Sequence, residues 1–303
     1  MTGIIPPMIT PLTDRDSLDV AGLERLVERL ISGGVSGIFA LGTTGEAPSL
    51  SYRLRRELVE RTCRLAAGRV PVLVGITDTS LVESARLAQQ AAGLGAAAVV
   101  TSAPFYFPAD PPELREYLEQ LLPELPVPLM LYNMPSLTKT VFTRETIAWA
   151  LDQPDIAGLK DSSGDLVYFR KMLRLATARR PDWSLLVGPE ELLGEVVLLG
   201  GHGGVCGGAN LHPRLYVDLY EAAHAGDLER VRELSARVLE ISDSLYSIGH
   251  HGSAIIKAIK CALSLLGVCD DFMAAPFHRF HEAERRLVEE RLRELGIGER
   301  AVK

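Results

Sequence analysis

The sequence predicts an α/β fold, a closed (β/α)8 barrel with a helical extension at its C-terminal end. Short apolar, often β-branched runs alternate with longer segments of helical period, and the alternation recurs eight times along the chain. The runs are near-continuously apolar rather than alternating, so each strand needs cover on both faces, as in a parallel sheet wrapped by helices. No linker rich in proline, glycine or serine divides the repeat. A doubly wound open sheet is the structural alternative.

The elements follow in order. The first strand is expected over 3–9 (GIIPPMI), the second over 37–41 (GIFAL), the third over 70–75 (VPVLVG) and the fourth over 97–101 (AAVVT). The fifth falls at 127–132 (VPLMLY), the sixth at 156–160 (IAGLK), the seventh at 185–188 (LLVG) and the eighth at 203–206 (GGVC). Amphipathic segments at 19–32, 51–67, 80–94, 112–122, 143–151, 165–178, 190–199 and 213–224 supply the crossovers. The division this implies is a barrel over 1–226 and a helical region packed on it over 227–303. That region carries helices near 228–245, 254–266 and 276–295. No low-complexity segment or short-period repeat is present.

The chain has 303 residues, 47% hydrophobic and 23% charged, ordinary for a globular protein with a sizeable core. A net charge of −7 and a pI near 5.6 argue against nucleic acid or an anionic membrane as partner, since both want a basic face. The opening MTGIIPPMITPLTDRD lacks a basic leader with an apolar segment, and no later run reaches the roughly 18 apolar residues of a membrane span. A cytoplasmic protein with a small-molecule partner is expected. Cys63, Cys206, Cys261 and Cys269 form no CxxC pair and suit reduced thiols, Cys206 as a buried small hydrophobe.

Chemistry in such barrels collects on the loops at the carboxyl ends of the strands. There the sequence places GTTGE (42–46), PFYFP (104–108), YNMP (132–135) and Lys160 in IAGLKDSSGD. A lysine after an apolar run ordinarily marks a strand reaching water. GTTGE alone could be a simple tight turn, and Tyr132 alone a packed rim residue. Together they make a different case. Glycines let successive N–H groups of a turn converge on an anion, and the hydroxyls of Thr43 and Thr44 add donors, which suits a carboxylate. An amine in an apolar pocket is favoured in its neutral, nucleophilic form, and a phenol one strand away can relay protons. That combination is what Schiff-base chemistry on a 2-oxo acid requires.

In these residues the chain resembles the dihydrodipicolinate synthase / N-acetylneuraminate lyase family, the pyruvate-dependent class I aldolases, from IPPMITP (5–11) to the helical tail. The most specific motifs are GTTGE, YNMP and GLKDSSGD (158–165), in that order and spacing. The resemblance implies Lys160 as the Schiff-base lysine, Tyr132 as the acid/base phenol, and Thr43, Thr44 and Gly45 as the carboxylate seat. It implies Tyr106 as a relay residue completing a neighbouring subunit's site, hence a homotetramer built as a dimer of dimers. Val205 matches the eighth-strand position whose carbonyl lines the pocket. One departure stands out. Where the synthases carry an arginine two residues after the proline of YN-x-P, this chain has Leu137, with Lys139 nearby but without the same fork of donors. The aldolase members resemble the chain more closely there.

The expected activity is therefore a carbon–carbon lyase that cleaves or forms a 2-oxo acid through a pyruvate–lysine imine. A 2-oxo-3-deoxy sugar acid or 4-hydroxy-2-oxoglutarate is the substrate class, with Ser162 and Ser163 near its hydroxyls. Alternatives are dihydrodipicolinate synthase, a 2-oxo acid dehydratase using the same lysine, and a non-catalytic 2-oxo acid binder. No cofactor or metal is expected: His250–His251 and the pair His278/His281 lack a third ligand at metal spacing. The glycines of GGHGGVCGGAN have no flanking cation to make a phosphate site.

Overall fold

The computed structural model describes residues 1–249 and 251–298. Eight parallel strands form one sheet in which β1 (Gly3–Ile4) pairs with β8 (Gly203–Gly204), and the order continues through β7 (Ser184–Val187), β6 (Ile156–Asp161), β5 (Leu129–Asn133), β4 (Ala98–Ser102) and β3 (Val72–Gly75) to β2 (Ile38–Ala40). Closure between β2 and β1 is made past the end of the short first strand. Phe39 N–H donates to the Pro6 carbonyl at 2.9 Å, and Met8 N–H donates to the Phe39 carbonyl at 2.9 Å. The first strand is thus shorter than the expected 3–9 because Pro6 and Pro7 have no N–H to offer a ladder. β8 also stops early: Val205 still donates to Val187 at 2.8 Å, but from Gly207 to Asn210 the chain winds into a 3-10 turn.

The crossovers are α1 (Val20–Ser32), α2 (Tyr52–Ala66), α3 (Leu81–Gly93), α4 (Pro111–Leu121), α5 (Arg144–Ala150), α6 (Leu166–Arg179), α7 (Leu193–Leu198) and α8 (Pro213–Ala225). Side chains of Asp19, Ser51, Ser80, Thr143 and Asp165 accept from backbone N–H groups in the first turn of their helices, which fixes where each starts. The seventh helix opens as a 3-10 turn over Glu190–Leu192, where the Glu190 side chain is drawn inward. Two small elements were not expected: an antiparallel hairpin (Leu12–Asp14 with Ser17–Leu18) before α1, and a single helical turn, Pro135–Thr138, after β5.

The barrel interior holds Ile5, Phe39, Leu73, Ala98, Val100, Met130, Tyr132, Leu186 and Val205 in one cluster, separate from the larger core between strands and helices. After α8 come α9 (Leu228–Ile241), a π turn over Ser242–Tyr246, α10 (Ala254–Leu265) and α11 (Glu282–Glu294). The last helix starts at Glu282 rather than 276, with Glu282 and Glu284 in its first turn, where acidic groups complement the helix dipole. Ile259, Leu263, Val288 and Leu292 of this region share the continuous outer core. Among the described residues no helix is long and apolar enough to cross a membrane.

Candidate active site

Sheet register builds the site. Ser102 stands opposite Tyr132, Tyr132 opposite Lys160, and Lys160 opposite Leu186, so neighbouring strands set these side chains in one inward-facing row at the carboxyl end of the barrel. Lys160 is 4% exposed. Its Nζ lies 3.9 Å from the centroid of the Tyr132 ring and 5.3 Å from that of Phe39, a cation–π arrangement on two faces. Among the described residues no carboxylate pairs with it. One layer below, Gly158 makes room: a Cβ there would stand 2.3 Å from the Ser184 carbonyl and 2.8 Å from Met130 Sδ.

The Tyr132 hydroxyl lies 3.3 Å from Thr43 Oγ1, and either can donate. Burial alone would raise the phenol's pKa. The Lys160 charge and hydrogen bonds from Thr43 and Ser162 outweigh it, leaving Tyr132 more acidic than an ordinary phenol. Ser162 Oγ is seated where a Cβ on Gly188 would collide with it at 1.8 Å. Ser163, in contrast, donates its hydroxyl to Asp161 at 3.0 Å, so it braces the loop. Asp161 also accepts from Asn133 Nδ2 at 2.8 Å, and burial holds its carboxyl above the usual range.

A cavity of about 240 Å³ opens beside this row. Of the expected residues, Thr43, Tyr132 and Leu137 wall it, together with Phe39, Thr77 and Ser102. Lys160, Thr44, Gly45, Ser162 and Val205 stand outside that wall, Lys160 against the ring of the wall residue Tyr132. A Cβ on Gly207 would lie 4.0 Å from Thr44 Oγ1, and the Gly45 carbonyl accepts from the Thr10 hydroxyl at 2.6 Å. Val205 is buried in the barrel interior with Tyr132. Tyr106 is not part of the wall either. It is 86% exposed, its φ of 81° is in the left-handed region, and its ring meets the equally outlying Phe107 edge-on at 5.2 Å.

Phe39, Thr77 and Ser102 were not anticipated as site residues. Ser102 ends β4 and Thr77 follows β3 by two residues, so the strand-end rule that pointed to Lys160 would have reached them; Phe39, inside an apolar run, carried no such signal. Lys139 directs its Nζ to the Ser136 carbonyl at 2.6 Å, and the cavity wall includes no arginine or lysine among the described residues. Of the histidines considered as ligands, His278 and His281 stack at 4.8 Å, and His250 lies outside the described residues. Among those residues no group of three or more His, Cys, Asp or Glu side chains could hold a metal. Cys206 is fully buried, its thiol pushed well above its ordinary value by burial.

A closed (β/α)8 barrel with a buried amine on β6, a phenol beside it and an adjoining small-molecule cavity has the architecture of the lysine-dependent lyases. The chain belongs to the dihydrodipicolinate synthetase family, whose model matches residues 1–295, and is a carbon–carbon lyase of that family. It is 32% identical to the probable 2-dehydro-3-deoxy-D-pentonate aldolase YjhH of Escherichia coli, over 88% of each chain. Among solved structures it is similar to dihydrodipicolinate synthase from Bacteroides thetaiotaomicron (55% identity, TM-score 0.94, 97% of this chain and 98% of that one). It is also similar to YagE, a prophage protein of E. coli K12 solved in complex with pyruvate (29% identity, TM-score 0.92, 98% and 99%). Relatives thus carry both aldolase and synthase names.

Proposed function

We propose that the protein is a pyruvate-dependent class I aldolase acting through a Schiff base on Lys160. The observation that carries this reading is a lysine 4% exposed, at the end of β6, with aromatic faces instead of a carboxylate for company. The other buried lysine of known partner, Lys260, is tied to Glu46 at 2.7 Å and has no such freedom. In the proposed reaction the neutral amine attacks C2 of a 2-oxo acid, and water leaves to give the protonated imine. Cleavage of the C3–C4 bond of the bound substrate sends its electron pair into the imine and releases an aldehyde; protonation of the enamine and hydrolysis then release pyruvate. The Thr43–Thr44 turn, with Gly45, seats the carboxylate. Tyr132, linked to Thr43, moves protons at the C4 hydroxyl and at the carbinolamine. Ser162 bonds the phenol, and Val205 packs with Tyr132 in the barrel interior. Borohydride reduction with pyruvate should fix an adduct on the peptide containing Lys160; an adduct on Lys257 or Lys260, or none, would overturn the reading.

Leu137 favours a hydroxylated 2-oxo-3-deoxy acid over a dicarboxylic partner. A guanidinium there would clamp a second carboxylate with charge-assisted bonds, each contributing about 1.5–3 kcal/mol. Leucine offers none, and Lys139, two residues on, directs its ammonium to the Ser136 carbonyl. The described cavity wall, which includes Thr77, Ser102 and Thr138 but no arginine or lysine, gives a second carboxylate no cationic partner. The protein should therefore prefer cleavage of a 2-oxo-3-deoxy sugar acid to condensation with aspartate semialdehyde by roughly 10² in kcat/KM. Leu137→Arg should narrow that ratio. Efficient condensation by the unaltered protein would assign it to the synthases. The assembly we propose is a homotetramer, a dimer of dimers in which Tyr106 serves a neighbour's site; the support is the exposed Tyr106–Phe107 pair.

A further inference from the structure

Glu46 closes the GTTGE turn, yet nothing in the proposed reaction uses it. It is 4% exposed, and its backbone is left-handed, with φ at 58°. Its N–H donates to the Thr43 carbonyl at 3.0 Å, so its position and that of the threonines are mechanically one. The carboxylate is held from the far side by the C-terminal region. Oε1 accepts from Lys260 Nζ at 2.7 Å, and Oε2 accepts from Ala274 N–H at 2.8 Å. Lys260, on α10, is 0% exposed and also donates to the Phe272 carbonyl.

A buried ion pair is an expensive way to dock a helix. Apolar residues of the same volume would hold the two parts together at least as well. What the pair adds is direction, because each carboxylate oxygen has its own donor and the donors come from two different segments. The object so aimed is the backbone of residues 42–46, whose N–H groups and hydroxyls form the proposed carboxylate seat. The turn itself cannot fix Glu46, since a left-handed backbone at a non-glycine residue persists only where its surroundings enforce it.

We infer that the Lys260–Glu46 pair is a positioning device through which the C-terminal helical region sets the carboxylate-binding turn. This rests on the pyruvate reading above. The test uses the full chain and two carbonyl probes trapped by borohydride, pyruvate and hydroxyacetone, the second a ketone without a carboxylate. In the double variant Glu46→Gln/Lys260→Met, which removes both charges together, half-saturating pyruvate should rise by about tenfold or more, whereas that for hydroxyacetone should change by less than about twofold. Selective loss supports the inference. An equal change for both probes would mark general loosening of the site, and no change for either would mark a pair irrelevant to the turn; each overturns it. Should the double variant not fold, Lys260→Arg carries the same comparison. It keeps the charge but cannot repeat the ammonium's geometry toward both Glu46 and Phe272. The unaltered protein is trapped first. If it forms no pyruvate adduct, the Schiff-base reading falls and this inference with it; if it does and the variants show no selectivity, only the inference falls.

Discussion

At the residue scale, the proposed chemistry rests on what Lys160 does to Tyr132. Stacked 3.9 Å from the lysine Nζ and bonded to Thr43, the phenol ionises below its ordinary value of 10.0. A proton carrier closer to neutrality transfers protons with less penalty in either direction. Tyr132→Phe should lower kcat by roughly 10² to 10⁴ with the fold retained, as for loss of a positioned acid/base. A second consequence has a definite sign. The protonated phenol is the form that donates, so activity should decline as pH rises through its lowered pKa, and the midpoint of that decline should lie below 10.0. The limb should vanish from the residual activity of Tyr132→Phe. A limb unchanged in the variant would assign the titration to another group and remove the phenol from proton transfer.

At the scale of elements, legibility follows apolar character. The six central strands were readable because each is a run buried on both faces, and Lys160 stood out because it breaks such a run at a strand's carboxyl end, where it lies buried against the Tyr132 ring. The first strand was read too long: its apolar residues do continue to Ile9, but Pro6 and Pro7 replace ladder bonds with an isolated bridge. The hairpin at 12–18 was missed because it is built mainly from exposed polar residues, with no alternation to mark it. The turn Pro135–Thr138 was missed because four residues are too few to show a period. Pairings between distant segments left no local trace at all. Glu46 and Lys260 are 214 residues apart, and each, alone, reads as a solvated charge. Thr77 and Ser102 differ: their place at strand ends was visible, but hydroxyls there are too common to single out without the cavity they face.

At the scale of the whole molecule, one chain leaves its most conspicuous aromatic residue unused. Tyr106 and Phe107 are 86% and 80% exposed at the rim that carries the site, while the adjacent Phe105 walls the cavity. Two large rings in water, one on a left-handed backbone, are a poor arrangement for an isolated subunit and a good one for a face that meets a second copy. If the phenol of Tyr106 completes a neighbour's proton relay, activity must depend on assembly, and the dependence separates a chemical contribution from a packing one. Specific activity should fall as the protein is diluted through the range in which ultracentrifugation shows subunits separating, and it should return on concentration. Tyr106→Phe, which keeps the ring and loses only the hydroxyl, should lower kcat by about tenfold or more at concentrations where the assembly is intact. Tyr106→Ala should weaken the proposed assembly as well, since it also removes the ring that a neighbour would cover. A fully active separated subunit would place the entire site within one chain and leave Tyr106 with packing alone.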